Sequence, residues 1–374
     1  MITKPIGLYV HIPFCKQKCS YCDFVSFGGA LSRFEEEYTE ALVKEILEYK
    51  TEEKIKVDTV FFGGGTPSII SGKSFEKITN SLRESFDILP LTEFTLEANP
   101  KTVTKEKLSV YTDLGVNRIS LGLQSIHENE LKILGRIHNF DEFLESYDLC
   151  KSAGVTNLNV DLMYGLPSQT VESFSETLDK VASLSPSHIS AYGLILEKGT
   201  RLYENRESLV FPSEDEECEM YYTAAKKLKS LGYSHYEISN YAKDGRECRH
   251  NLKYWRDEEY IGLGLAAHSY FGKKRYANPG VFDEYFANGR KEYVQTEEID
   301  REANAYEYAM MRLRLSEGFS LSDYEKRFGV SFLSEREELI DRLVKGGYAT
   351  LLNGRFSLTE EGFYVSNSIL SELL

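Results

Sequence analysis

The sequence predicts an α/β fold, a partial (β/α)6 barrel followed by a winged-helix-like module. Three observations predict it. Six short apolar runs alternate with amphipathic segments over the first 200 residues, and near-continuous apolar strands of this kind belong to a parallel sheet covered by helices. Several runs end in polar or glycine-bearing turns, where α/β proteins build their sites. Beyond residue 300 the alternation gives way to helices and a hairpin.

The strands are expected at Gly7–Ile12, Thr59–Phe62, Glu93–Glu97, Arg118–Leu123, Asn157–Met163 and Ile189–Leu194. Helical periodicity places helices near Phe34–Tyr49, Phe75–Phe86, Lys105–Leu114, Phe140–Ala153 and Val171–Leu184. Six units are too few for a closed eight-fold barrel. After about Thr200 come an acidic helix, Glu214–Leu231, and a short strand, Tyr236–Tyr241. Helices at Ala303–Leu315, Leu321–Phe328 and Ser334–Lys345 precede a hairpin, Tyr348–Thr359, that turns at Asn353-Gly354. The chain therefore divides into a barrel (1–200), a barrel extension (201–300) and a C-terminal module (301–374).

A net charge of −15 argues against a nucleic-acid-binding role, which needs a basic face, and the winged module is itself mildly acidic. No apolar run approaches a membrane span, and the early first strand leaves no signal-peptide pattern. Three clustered cysteines plus isolated Cys150, Cys218 and Cys248 suit a reducing cytoplasm.

The clustered three, Cys15, Cys19 and Cys22, have the spacing C-x3-C-x2-C. A cubane cluster has four irons, so three thiolates leave one iron open to an outside ligand. Zinc favours four donors, commonly from paired C-x2-C units, and no second pair exists in the chain. Phe61-Phe62-Gly63-Gly64-Gly65-Thr66-Pro67 follows a predicted strand, and its glycines form either a tight turn or a close backbone approach to a ligand.

The cysteine spacing resembles the signature of the radical S-adenosylmethionine (SAM) superfamily. That resemblance implies a 4Fe–4S cluster on Cys15, Cys19 and Cys22, with SAM chelated to the open iron. It also implies a low-potential electron donor. Gly64, Gly65 and Thr66 would then bind the SAM amino group, and Glu97 the methionine ammonium or the ribose. Gln124 and Asp161 would hold ribose hydroxyls, Arg136 the SAM carboxylate, and Tyr9 and Tyr21 would pack at the cluster and SAM.

The run Tyr9-Val10-His11-Ile12-Pro13-Phe14-Cys15 narrows the resemblance to the group that holds oxygen-independent coproporphyrinogen III dehydrogenase and the HemW-type heme chaperones. Two functions follow: radical oxidative decarboxylation, or binding heme and handing it to apo-proteins, membrane-associated ones included. The decarboxylases place a fourth cysteine directly after the position of Asp23, and Cys22-Asp23-Phe24 carries none. They also have a longer N-terminal extension than the fourteen residues before Cys15. His250-Asn251-Leu252-Lys253-Tyr254-Trp255 matches the H-N-x-x-Y-W signature tied to heme in the chaperone group. The expectation is a cytoplasmic heme chaperone, with a homodimer as one possible state and any turnover undecided.

His250 is the first candidate for the heme iron, and Asn251, Tyr254 and Trp255 for the porphyrin. Cys248 is a further donor, and Arg249, Lys253 and Arg256 are candidates for the propionates. On residue chemistry alone, a histidine among aromatics is more often a satisfied structural group. His268 is the second candidate ligand.

Overall fold

Strand β1 (Ile6–Ile12) is buried at nearly every position, as a central parallel strand covered on both faces must be. It anchors a twelve-stranded sheet in a computed structural model of the chain that describes residues 4–288, 295–334 and 336–373. Strands β2 (Lys56–Gly64), β3 (Asp87–Ala98), β4 (Arg118–Gln124), β5 (Asn157–Tyr164) and β6 (His188–Gly193) follow in sequence order, each parallel to the last.

Helices α1 (Leu31–Leu47), α2 (Gly72–Ser85), α3 (Lys105–Asp113), α4 (Glu128–Ile133), α5 (Phe140–Ser152) and α6 (Val171–Ser183) fill the crossovers. Their starts are written in the sequence. Ser71, Thr104, Asn139 and Thr170 each accept a backbone N–H three residues on, which stops the preceding loop and opens the helix. Leu42, Ile78, Leu108, Tyr147 and Leu178 then pack on Leu8, Val60, Leu96, Ile119 and Val160 in one core. Because every crossover returns the chain to the same edge, the C-terminal ends of all six strands share one rim.

The barrel is wider than the six predicted units. Strands β7 (Ser234–Glu237) and β8 (Asn240–Ala242) form a hairpin, with β8 antiparallel to β6, where the sequence reading expected one strand. Strand β9 (Tyr260–Leu263) adds a seventh parallel strand on the other side of β1. Strands β10 (His268–Phe271), β11 (Lys274–Ala277) and β12 (Gln295–Glu298) continue outward from it, antiparallel. The full order is β12-β11-β10-β9-β1-β2-β3-β4-β5-β6-β8-β7. Helices α7 (Glu214–Ser230), α8 (Arg249–Trp255) and α9 (Phe282–Asn288) belong to this extension.

The C-terminal module consists of α10 (Arg301–Arg312), α11 (Leu321–Phe328), α12 (Glu337–Lys345), α13 (Glu360–Tyr364) and α14 (Ser366–Leu373) with a small sheet of β13 (Phe319–Ser320), β14 (Ala349–Leu352) and β15 (Arg355–Leu358). Asn353 and Gly354 both take positive φ at its hairpin, as a two-residue turn between twisted strands requires. Its core of Phe319, Phe332 and Phe356 takes in Tyr221 from α7, which seats the module on the barrel. Among the described residues no helix is long and apolar enough to cross a membrane.

Candidate cluster and ligand site

The cysteine loop lies at the C-terminal rim, directly after β1. Phe14–Cys15 pairs with Phe27–Gly28 and closes the loop at its base. Ser20 fixes its middle, donating its N–H to Leu134 O (2.9 Å) and its hydroxyl to Ile133 O (2.6 Å). The Thr66 hydroxyl lies 3.6 Å from Cys15 Sγ as a donor, and Arg136 Nη1 donates to Cys19 Sγ at 3.4 Å. Asn99 joins these two donors, giving its Nδ2–H to Thr66 Oγ1 (2.8 Å) and accepting from Arg136 Nη2 (2.6 Å). Burial pushes the Cys15 and Cys22 thiols up, and the neighbouring Cys19 adds to both shifts.

Among the described residues no set of His, Cys, Asp and Glu side chains converges on a single metal ion. A cubane does not ask for that, since its thiolates sit on separate irons. The donor set fits the group: three thiols with two hydrogen-bond donors aimed at sulfur, beside a buried guanidinium whose Nε is unpaired. Gly65 completes the cradle, because a Cβ there would sit 2.6 Å from Phe14 O and 3.0 Å from Cys15 Sγ.

Inside the rim, Gly64 adopts φ +112° and gives its N–H to Glu97 Oε2 at 3.3 Å. Burial raises the Glu97 carboxyl to about 8, helped by the charge of Asp161. Asp161 is also pushed up by burial, although Ser120 (2.9 Å) and Asn159 (2.7 Å) donate to it. Arg118, 2 % exposed, lies beneath and favours the charged form of both acids. Burial still disfavours the charged form of both carboxyls. Gln124 holds φ +74° at the end of β4, a strained backbone of the kind that collects at ligand sites. Tyr21 packs with Leu134, Met163 and Leu166 beneath the loop.

Tyr9 and His11 point from β1 toward the same rim. His11 Nε2 lies 2.9 Å from the Val25 carbonyl, which can only accept, so Nδ1 is the acceptor for the Tyr9 hydroxyl at 3.0 Å. Burial depresses His11 to about 4, so the ring is neutral.

The H-N-x-x-Y-W motif forms the seven-residue helix α8, and helical spacing divides it between two faces. His250 and Tyr254 look inward. His250 is 0 % exposed, stacks on Phe61, and has Thr59 Oγ1 at 2.9 Å from Nδ1 and Tyr254 OH at 2.8 Å from Nε2. Burial, with Lys253 next, lowers it to about 3. Both ring nitrogens are engaged, so an axial ligand at His250 would need one of these bonds broken.

Trp255 faces the other way, packing with Leu252, Tyr236 and Leu315 under Arg314. Asn251 is half-buried on the helix. Arg249 and Lys253 pair with Asp58, and Arg256 with Glu317, so these cations are already matched by acids. Cys248 is fully buried against Glu93.

A cavity of about 440 Å³ opens beside the cysteine loop. Tyr9, Phe24, Val25, Tyr254, Tyr260 and His268 are among its walls. Of the heme candidates, the structure brings Tyr254 and His268 to this cavity and leaves Asn251 and Trp255 off its lining.

Sequence reasoning passed over Asn99, Glu93, Arg118 and the buried partners behind Asp161, namely Asn159, His188 and Tyr236, where His188 lies 2.6 Å from Asn159 Oδ1 and 2.8 Å from Tyr236 OH. No local spacing flags them, because their partners come from different strands.

Residues 9–181 match the Radical SAM superfamily and residues 299–365 match the HemN C-terminal domain. Heme chaperone HemW of Lactococcus lactis is 35% identical over 100% of this chain and 98% of its own length. The chain belongs to the HemW family of the radical SAM superfamily. The HemW proteins of Bacillus subtilis and Escherichia coli are each 34% identical, over 98% and 99% of this chain and 98% of their own. The solved structure of coproporphyrinogen III oxidase (HemN) from Escherichia coli superposes with a TM-score of 0.87 at 22% identity, covering 99% of this chain and 90% of its own, and so shares the fold. The two matched segments leave out residues 182–298, and it is the full-length HemW relatives that span helix α8 and β10.

Proposed function

We propose that this protein is a cytoplasmic heme chaperone that carries a 4Fe–4S cluster and SAM and delivers heme to acceptor apo-proteins. The observation that carries the reading is the aromatic cavity beside the cluster loop, in a chain whose full-length relatives are named heme chaperones. A porphyrin is a flat apolar disc, and Tyr9, Phe24, Tyr254 and Tyr260 offer it ring surface. Phe24 is 71% exposed, so its ring face is open to such a ligand.

Cys15, Cys19 and Cys22 would hold the cluster, which supplies one-electron chemistry when bound. Thr66 and Arg136 would steady the sulfur charge through their hydrogen bonds. Gly64, Gly65, Glu97, Gln124 and Asp161 would hold SAM, with Glu97 taking the ammonium. Tyr21 and Tyr9 would wall that site. A low-potential donor would reduce the cluster, and the acidic surface leaves nucleic acid without a place.

The test is direct. Anaerobically reconstituted protein is titrated with heme, and is separately incubated with coproporphyrinogen III, SAM and a low-potential reductant. We expect about one heme per chain and no decarboxylated product. Decarboxylation at enzyme-like rates would transfer the assignment to the dehydrogenase.

A further inference from the structure

The chain has seven histidines, and six of them are spoken for. His11, His127, His138 and His235 each have a ring nitrogen at hydrogen-bond distance from a backbone carbonyl, and His188 and His250 have both nitrogens engaged by side chains. His268 differs. It is exposed at the start of β10, no hydrogen bond to its ring is found among the described residues, and it stands in the wall of the aromatic cavity.

The backbone that presents it is fixed. Buried Glu45 accepts from Gly264 N (2.9 Å), Asn278 Nδ2 (2.7 Å) and Tyr285 OH (2.6 Å), and Asn278 also donates to Gly264 O (2.8 Å). The Tyr38 hydroxyl, received by His11 O (2.6 Å), accepts from Leu265 N at 3.1 Å. A free imidazole on a pinned turn, at the edge of a cavity of about 440 Å³, has the geometry of a metal-porphyrin ligand held ready.

We propose that His268 is the axial ligand of the heme iron. His250 is then a positioning residue, since its bond at 2.8 Å holds the Tyr254 hydroxyl and so sets the angle of one cavity wall. The assignment rests on the heme-chaperone reading and names the ligand within it. It also explains why the histidine of the α8 motif is shut away from solvent while its i+4 tyrosine is not.

The full-length, cluster-loaded protein is titrated with ferric heme, read by difference absorption and EPR, for wild type, His268→Ala and His250→Ala. His268 is exposed, so its loss leaves the fold intact, as circular dichroism checks. We expect His268→Ala to weaken heme binding at least ~10-fold and to lose the imidazole-ligated signature, which added imidazole restores. His250→Ala should keep that signature with weakened binding, and Tyr254→Phe serves in its place if it does not fold. Wild-type affinity and spectrum in His268→Ala would overturn the assignment while leaving the chaperone reading standing. Absence of heme binding in the wild-type protein would instead remove the reading on which it rests.

Discussion

A carboxyl raised to about 8 inside a barrel is a group the fold holds in an unfavourable place. Between the ordinary carboxyl value and about 8, folded Glu97 keeps a proton that the unfolded chain has released. The native state therefore binds more protons, and this site's contribution to stability falls as pH rises through that window. Glu97→Gln removes the titration. Thermal melts of ligand-free protein should show the variant gaining on wild type from pH 5 to pH 8, by roughly 3–4 kcal/mol at the upper end. Equal pH profiles for the two would place the carboxyl elsewhere. The same variant should bind SAM about ten- to hundred-fold more weakly, the value of one charge-assisted contact.

Arg136 tests the sulfur environment at the same scale. Its guanidinium faces Cys19 Sγ at 3.4 Å, and a nearby cation favours the reduced, more negative cluster. Arg136→Ala should move the midpoint potential negative by ~60 mV, tenfold in a one-electron equilibrium. Spectroelectrochemistry reads the shift, and an unchanged potential would separate Arg136 from the cluster.

Helix α8 illustrates what an element adds to its residues. Only seven residues long, it draws support from Glu93, whose carboxylate accepts the N–H groups of Arg249 and His250 at 3.0 Å each. An acid at a helix N-terminus satisfies orphan donors and meets the favourable end of the dipole. Glu93→Gln should lower stability by ~1–3 kcal/mol in urea denaturation. Trp255, the single tryptophan, sits at the far end of this helix, and its fluorescence should report the helix loosening.

The alternation of apolar strands and amphipathic helices made the six barrel strands legible in the sequence, five of them to within three residues at each end, while the third begins at Asp87 rather than Glu93 and helix α4 went unread. Strand β9 was not legible, because four residues in an aromatic segment carry too little period to separate strand from loop. The cysteine spacing could be read because its ligands are local in sequence. Asn99 could not, since its role comes from bridging Thr66 and Arg136. The motif at α8 reads as one patch on paper, whereas a helix turns His250 and Trp255 away from each other.

At the level of the molecule, the C-terminal module is bound to the barrel by shared core. Tyr221 of α7 packs in the module's own cluster with Phe363 and Leu370, and Ile238 borders it. A chain ended at residue 298 would expose that surface. We expect it to melt several degrees below the full chain, and a full-length melting temperature would show that the module folds apart.

Tyr9 has one face toward the Gly63–Glu97 side of the rim and another in the wall of the aromatic cavity. A side chain that serves as a party wall cannot be moved by one tenant without notice to the other. If SAM shifts this ring, heme affinity changes by some factor, and heme must change SAM affinity by the same factor. The two ligands would then keep account of each other through a single phenol, and Tyr9→Phe, which frees the ring from its His11 tether at 3.0 Å, should alter that shared factor in both titrations alike.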